Sequence, residues 1–126
     1  MTKESYFLLF ISLGVFPAAL GYGLNPKEFL PVLYGIEVAE NNLSNIFRAI
    51  MGLYIGCVVL WVVGAFNKNL TTPALWCLVV FMFGIGFGRA LSMALDGLPD
   101  TIFIFFMVFE FIAGVIGYSL IRNIEH

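Results

Sequence analysis

Apolar residues in this chain fall into four long runs, at residues 6–24, 46–66, 74–95 and 101–121, separated by shorter polar segments. Each run matches the roughly 20 residues that an α-helix needs to cross a hydrocarbon core of about 30 Å. Strands of a membrane barrel would alternate apolar and polar positions, and these runs are apolar on every side. Backbone groups in lipid must also be satisfied within the element, which a helix does. The pattern therefore predicts an all-α fold: an integral membrane four-helix bundle, forming one transmembrane domain over residues 1–126.

Composition agrees with a lipid solvent. Of the 126 residues, 61% are hydrophobic and 11% charged, against about a quarter charged in soluble domains. The first run follows Lys3 and ends among small residues, as a cleavable leader does, but Glu4 and the length of the run predict a retained span. A net charge of −2 gives no basis for nucleic-acid binding, so the expected partners are membrane lipid, a second copy of the chain or another membrane protein. Four spans of this size enclose little interior, which is why a homo-oligomer is expected.

Short polar segments set the topology. With four spans, both termini and segment 67–72 share one side, with Lys3, Lys68 and Arg122. The other side holds 25–45 and 96–100, with Lys27 against Glu28, Glu37, Glu40, Asp96 and Asp100. The positive-inside rule then places both termini in the cytoplasm. Thr72 before Pro73 reads as an N-cap with proline at the first helical position, and Gly97 then Pro99 as a stop. Trp61 and Trp76 are expected at one membrane interface. Segment 25–45 mixes apolar residues and acids, which predicts a cap on the interface with a short helix after Asn25-Pro26.

The chemistry available is narrow. No CxxC, HxxxH or Ser/His/Asp pattern occurs, and the one histidine is His126. Gly84, Gly86 and Gly88 follow no strand, so no nucleotide fingerprint is present. No cofactor and no metal are expected, and the balance is against an enzyme. Cys57 and Cys77, counted from a loop at 67–72, are expected about 7 Å apart in depth, at about 1.5 Å per residue, as free thiols.

Three ionisable residues interrupt the runs: Arg48, Arg89 and Glu110. Charges inside a membrane are expensive, roughly 2.5–3.5 kcal/mol each at a helix centre by insertion scales, and mark a bundle interior or cavity. At about 1.5 Å per residue, Arg48 lies about 4.5 Å inside its end of the span, Arg89 about 10 Å and Glu110 about 13 Å, all on the same half. Arg89 and Glu110 on adjacent antiparallel helices form a natural ion pair, while Arg48 is placed to reach Asp96, Glu37 or Glu40. Arg89, Ser92 and Asp96 share one helical face, Glu110, Gly114 and Gly117 another, and Arg48 and Gly52 a third. Small residues favour close helix approach, so these stripes are expected inside, with the glycines at 84, 86 and 88 as a packing surface and Phe103, Phe105 and Phe109 turned outward. Gly52 and Gly56 form a GxxxG, a possible helix contact, and Pro17 a kink.

Two readings of Arg48, Arg89, Asp96 and Glu110 remain open on these grounds. In one they line an outward-facing polar pocket, with Tyr22, Tyr34, Tyr54 and Ser92 as further candidates, that binds or transports an anionic or amphiphilic small molecule or a lipid. In the other they are a neutral packing lock in a structural or accessory membrane subunit.

The segments NLSNIFRAIMGLYIG, GRALSMALDGLP and VFEFIAG resemble a family of small bacterial four-helix membrane proteins catalogued as domain of unknown function 4345. The resemblance runs over about residues 22–120, and its motif positions fall on Arg48, Gly52, Tyr54, Arg89, Ser92, Asp96, Gly97, Pro99 and Glu110. It implies a compact multi-pass protein of the bacterial inner membrane with segment 25–45 in the periplasm, and it implies no activity.

Overall fold

The computed structural model describes residues 1–125, so His126 lies outside the described residues. Five helices follow one another: α1 (Lys3–Gly23), α2 (Pro26–Tyr34), α3 (Asn41–Phe66), α4 (Lys68–Asp96) and α5 (Thr101–Glu125). Four of them, α1, α3, α4 and α5, are long and apolar enough to cross a membrane. At 29 residues and about 1.5 Å per residue, α4 exceeds the hydrocarbon thickness by several residues. Such an excess projects beyond the core or is taken up by tilt.

Local chemistry explains the boundaries. Thr2 caps α1, its hydroxyl oxygen accepting the Ser5 N–H at 3.1 Å. Pro26 opens α2 at a position where its missing N–H costs no bond, and Gly35 ends it in the left-handed region at φ 70°. Leu30 of α2 is fully buried, while Val32 and Leu33 are exposed. An apolar face left open on a short cap beside four spans fits a helix lying in the interface plane. The short helix expected after Asn25-Pro26 is therefore present.

The link between α3 and α4 differs from the sequence expectation. Helix α4 begins at Lys68, not after Thr72, and Asn67 is the single residue between the two helices. The Asn67 side chain accepts the Asn69 N–H at 3.0 Å, and the Thr71 hydroxyl donates to the Gly64 carbonyl at 2.6 Å. These bonds satisfy helix-end groups that a longer loop would leave to water, so the turn collapses onto Asn67. A β-carbon at Gly64 would overlap Ala74 and the Leu70 carbonyl, so only glycine allows this approach. Cys57 stands ten residues before Asn67 and Cys77 ten after it, so the two free thiols lie at one depth, correcting the offset expected above.

Packing runs α1 on α3, α3 on α4 and α4 on α5, while α1 and α5 barely touch. The bundle is thus a ring of four helices with one loose seam. Its core gathers Leu8, Ile11, Trp61, Leu75, Leu78, Met82 and Ile121. Trp61 is fully buried there, edge-on to Phe81 at 5.1 Å, and so is no interfacial anchor; Trp76 is exposed, beside Tyr118.

Glycines close the α4–α5 contact unevenly. Gly86 lies under Phe111, Gly114 under Phe83 and Gly117 under Val79, whereas Gly84, Gly88, Gly52 and Gly56 face open space. The three glycines before Arg89 are therefore not one packing surface, and the GxxxG of α3 makes no contact inside the bundle. Within the most apolar 18 residues of each of the four long helices only 22–39% of the positions are buried, so most of the apolar surface faces outward from the bundle.

Candidate functional site

At the α2 end of the bundle, α4 and α5 bring Arg89 and Glu110 together. Arg89 Nε donates to Glu110 Oε1 at 2.9 Å, with the side chains 19% and 10% exposed. This is the only salt bridge among the described residues, and it joins the partners expected from depth along antiparallel helices. The pair is held from other directions as well. Arg89 Nη2 stands 3.5 Å from the Tyr22 hydroxyl of α1, the long limit of a hydrogen bond. Its guanidinium carbon lies 5.9 Å from the Phe103 ring centroid and 5.5 Å from that of Phe106, within reach of the ring quadrupoles. Aromatic faces thus take the place of water around a cation that the helix cannot shed.

A cavity of about 220 Å³ opens beside this pair. From α1 come Gly14, Val15, Ala18 and Tyr22; from α3, Tyr54; from α4, Phe81, Met82 and Arg89; from α5, Phe105, Phe106, Phe109 and Glu110. The lining therefore draws on all four spans, and its floor is polar while its walls are aromatic or aliphatic. Its mouth lies on the loose α1–α5 seam. Gly14 is exposed with no atom close to where a β-carbon would stand, and Phe105 is 67% exposed. For a bundle in a bilayer, that seam faces the lipid, not the aqueous phase.

Tyr22 ties the floor to α2. Its ring stacks on Tyr34 at 5.6 Å and on Phe47 at 6.1 Å, and meets the Tyr54 ring edge-on at 5.8 Å. Tyr54 passes the contact on to Phe81 at 4.9 Å. Burial, and then the neighbouring Tyr22, push the Tyr34 hydroxyl above the ordinary tyrosine range, so at neutral pH Tyr34 is an uncharged ring that closes the cluster from α2.

Other candidate residues lie elsewhere. Arg48 is exposed, and its Nη1 donates to the Gly23 and Leu24 carbonyls at 3.2 Å each. It thus closes the C-terminal end of α1, where a cation also opposes the helix dipole, and makes no bridge to Asp96, Glu37 or Glu40. Ser92 donates its hydroxyl to Asp96 Oδ2 at 3.1 Å on the exposed end of α4, away from the cavity. Tyr22 and Tyr54 line the cavity; Tyr34 stands behind Tyr22. Phe103 and Phe109, expected on the outer face, are half-buried, while Phe105 is exposed.

Beside the expected Tyr22 and Tyr54, the cavity is lined by residues that carry no chemical mark of their own. Gly14, Ala18 and Tyr22 recur at intervals of four, which places them on one face of α1, and that signal was available. Phe81, Phe106 and Phe109 gave none, because a helix rich in phenylalanine on every side does not reveal which ring faces inward.

A family model described as a domain of unknown function (DUF4345) matches residues 4–121. No curated protein and no solved structure matches the chain.

Proposed function

The chain belongs to the DUF4345 family, and from that premise we propose that it is a multi-pass protein of the bacterial inner membrane that binds an amphiphilic small molecule or lipid from within the bilayer. The observation that carries this reading is the cavity between α1 and α5, with its Arg89–Glu110 floor. At about 220 Å³ the cavity exceeds the roughly 150 Å³ that holds a benzene ring in an engineered apolar site, and falls short of the roughly 300 Å³ at which whole drug-sized ligands fit. It suits a headgroup or ring, with an apolar tail leaving through the α1–α5 seam. Because Glu110 already balances Arg89, the floor brings no net charge, which favours an amphiphile over a free anion. In this reading both termini lie in the cytoplasm and α2 in the periplasm, which the positions of Lys3, Lys68 and Arg122 support.

Retained amphiphile is the test. Native mass spectrometry of the gently solubilised protein is expected to show a bound amphiphile on the wild type and to lose it in Gly14→Phe. The new ring has free space at that position and would fill the mouth without disturbing the core. An equal load on both proteins would remove the cavity as the site.

A second reading has its own observation. The Arg89–Glu110 bridge joins α4 to α5, as a packing lock in a structural or accessory subunit would. The two readings part on whether the cavity is occupied.

A further inference from the structure

The second intramembrane arginine belongs to a different site. Beside Arg48 is a shallow cavity of about 340 Å³, lined by Asn25, Lys27, Asn41, Ser44, Asn45 and Arg48. Every lining residue is polar, two are cations and none is an acid. We infer that this cavity is a headgroup site for an anionic phospholipid, with Lys27 and Arg48 taking the phosphate and the amides and Ser44 offering further hydrogen bonds.

Geometry, charge and depth support it independently. Lys27 Nζ donates to Asn41 Oδ1 at 2.9 Å, which holds the ammonium over the first turn of α3. Arg48 is anchored through Nη1 alone to the Gly23 and Leu24 carbonyls. Its Nε and Nη2 have no acceptor among the described residues and can form the paired donor face that suits a phosphate. Glu28 follows Lys27 and Glu40 precedes Asn41 in the sequence, but neither lines the cavity, so the lining itself carries two positive charges and no negative one. The site is thus the electrostatic opposite of the neutral Arg89–Glu110 floor.

Depth follows from the elements. Arg48 lies seven residues inside the start of α3 at Asn41 but only three past Asn45, the last polar residue before the apolar stretch, about 4.5 Å by helical rise, and α2 exposes Val32 and Leu33 alongside. An amphipathic helix of that kind rests at the headgroup boundary. The cations therefore stand at phosphate level, with the apolar flank of α3, including the exposed Ile46 and Leu53, leading down into the acyl region. A soluble anion would use only the polar half of this surface. A phospholipid uses both.

The experiment is lipid titration of the full chain in mild detergent, read by native mass spectrometry with phosphatidylglycerol and phosphatidylcholine as probes. The wild type is expected to prefer phosphatidylglycerol, and Lys27→Ala to weaken that binding about fivefold, in line with roughly 1 kcal/mol per basic residue near an anionic lipid surface. Lys27→Glu is expected to abolish the preference while leaving helicity and phosphatidylcholine binding unchanged. It is the decisive variant, since Arg48→Gln also loosens the end of α1. Unchanged phosphatidylglycerol binding in Lys27→Glu, or equal affinity of the wild type for both lipids, overturns the site. Displacement of the lipid by an equal concentration of inorganic phosphate would show a free-anion site and overturn the assignment to a lipid.

Discussion

Replacing Arg89 with leucine is expected to lower the stability of the bundle by about 3–5 kcal/mol, the loss seen when one partner of a buried ion pair is removed. Glu110 would be left on α5 at 7% exposure, with no other cation among the residues that line its cavity. Glu110→Leu is expected to do similar harm by stranding the guanidinium. The double change, Arg89→Leu with Glu110→Leu, is expected to recover most of the loss, because two leucines need no partner and the pair's desolvation vanishes with it. The deficit of each single variant then measures an unpaired charge, not the worth of the bridge. Thermal unfolding in one detergent checks all three proteins; a double variant no more stable than the singles would contradict the pairing. Amphiphile binding separates the two readings of the pair, for restored folding should not restore binding if Arg89 and Glu110 are the floor of a site.

Tyr22→Ala is the second large effect, expected at about 3–5 kcal/mol by analogy with truncation of buried aromatic residues. Tyr22 is 8% exposed, and its ring touches Tyr34 of α2 and Phe47 and Tyr54 of α3. Its removal takes the shared wall from between the cavity and the α2 cluster of Leu30 and Val38. Amide hydrogen exchange should therefore speed up across α2 well before it does in the core of α4. Tyr22→Phe is the control: the hydroxyl stands 3.5 Å from Arg89 Nη2, at the edge of a useful bond, so its loss is expected to cost about 1 kcal/mol or less. Equal damage from the two variants would mean that the hydroxyl, not the ring, holds the floor together.

Long apolar runs made the spans readable, and counting inward from helix ends was enough to pair Arg89 with Glu110. Counting failed where the end itself was misplaced. The proline rule put the start of the third run after Thr72, whereas side-chain bonds at Asn67 and Thr71 let the helix begin at Lys68, and the relative depth of Cys57 and Cys77 shifted with it. Arg48 was grouped with Arg89 because both are arginines on one half of the membrane. Only the structure shows that carbonyls at the end of α1 compete for Arg48 and win. The pairing of α1 with α3 could not be read either, since a 21-residue connection, 25–45, imposes no neighbour. Nor could the aromatic walls. In lipid an apolar residue gains little by turning inward, so the periodicity that marks a core face in a soluble helix is missing.

The central claim is that the α1–α5 seam leads to an amphiphile-binding cavity, and a map of the protein in a lipid nanodisc tests it most directly. The expected result is elongated density that enters past Gly14 and Phe105 and ends against Arg89 and Glu110. A seam closed by direct contact of α1 with α5, with side chains filling the space above the ion pair, would contradict it and leave Arg89 and Glu110 as a packing lock alone.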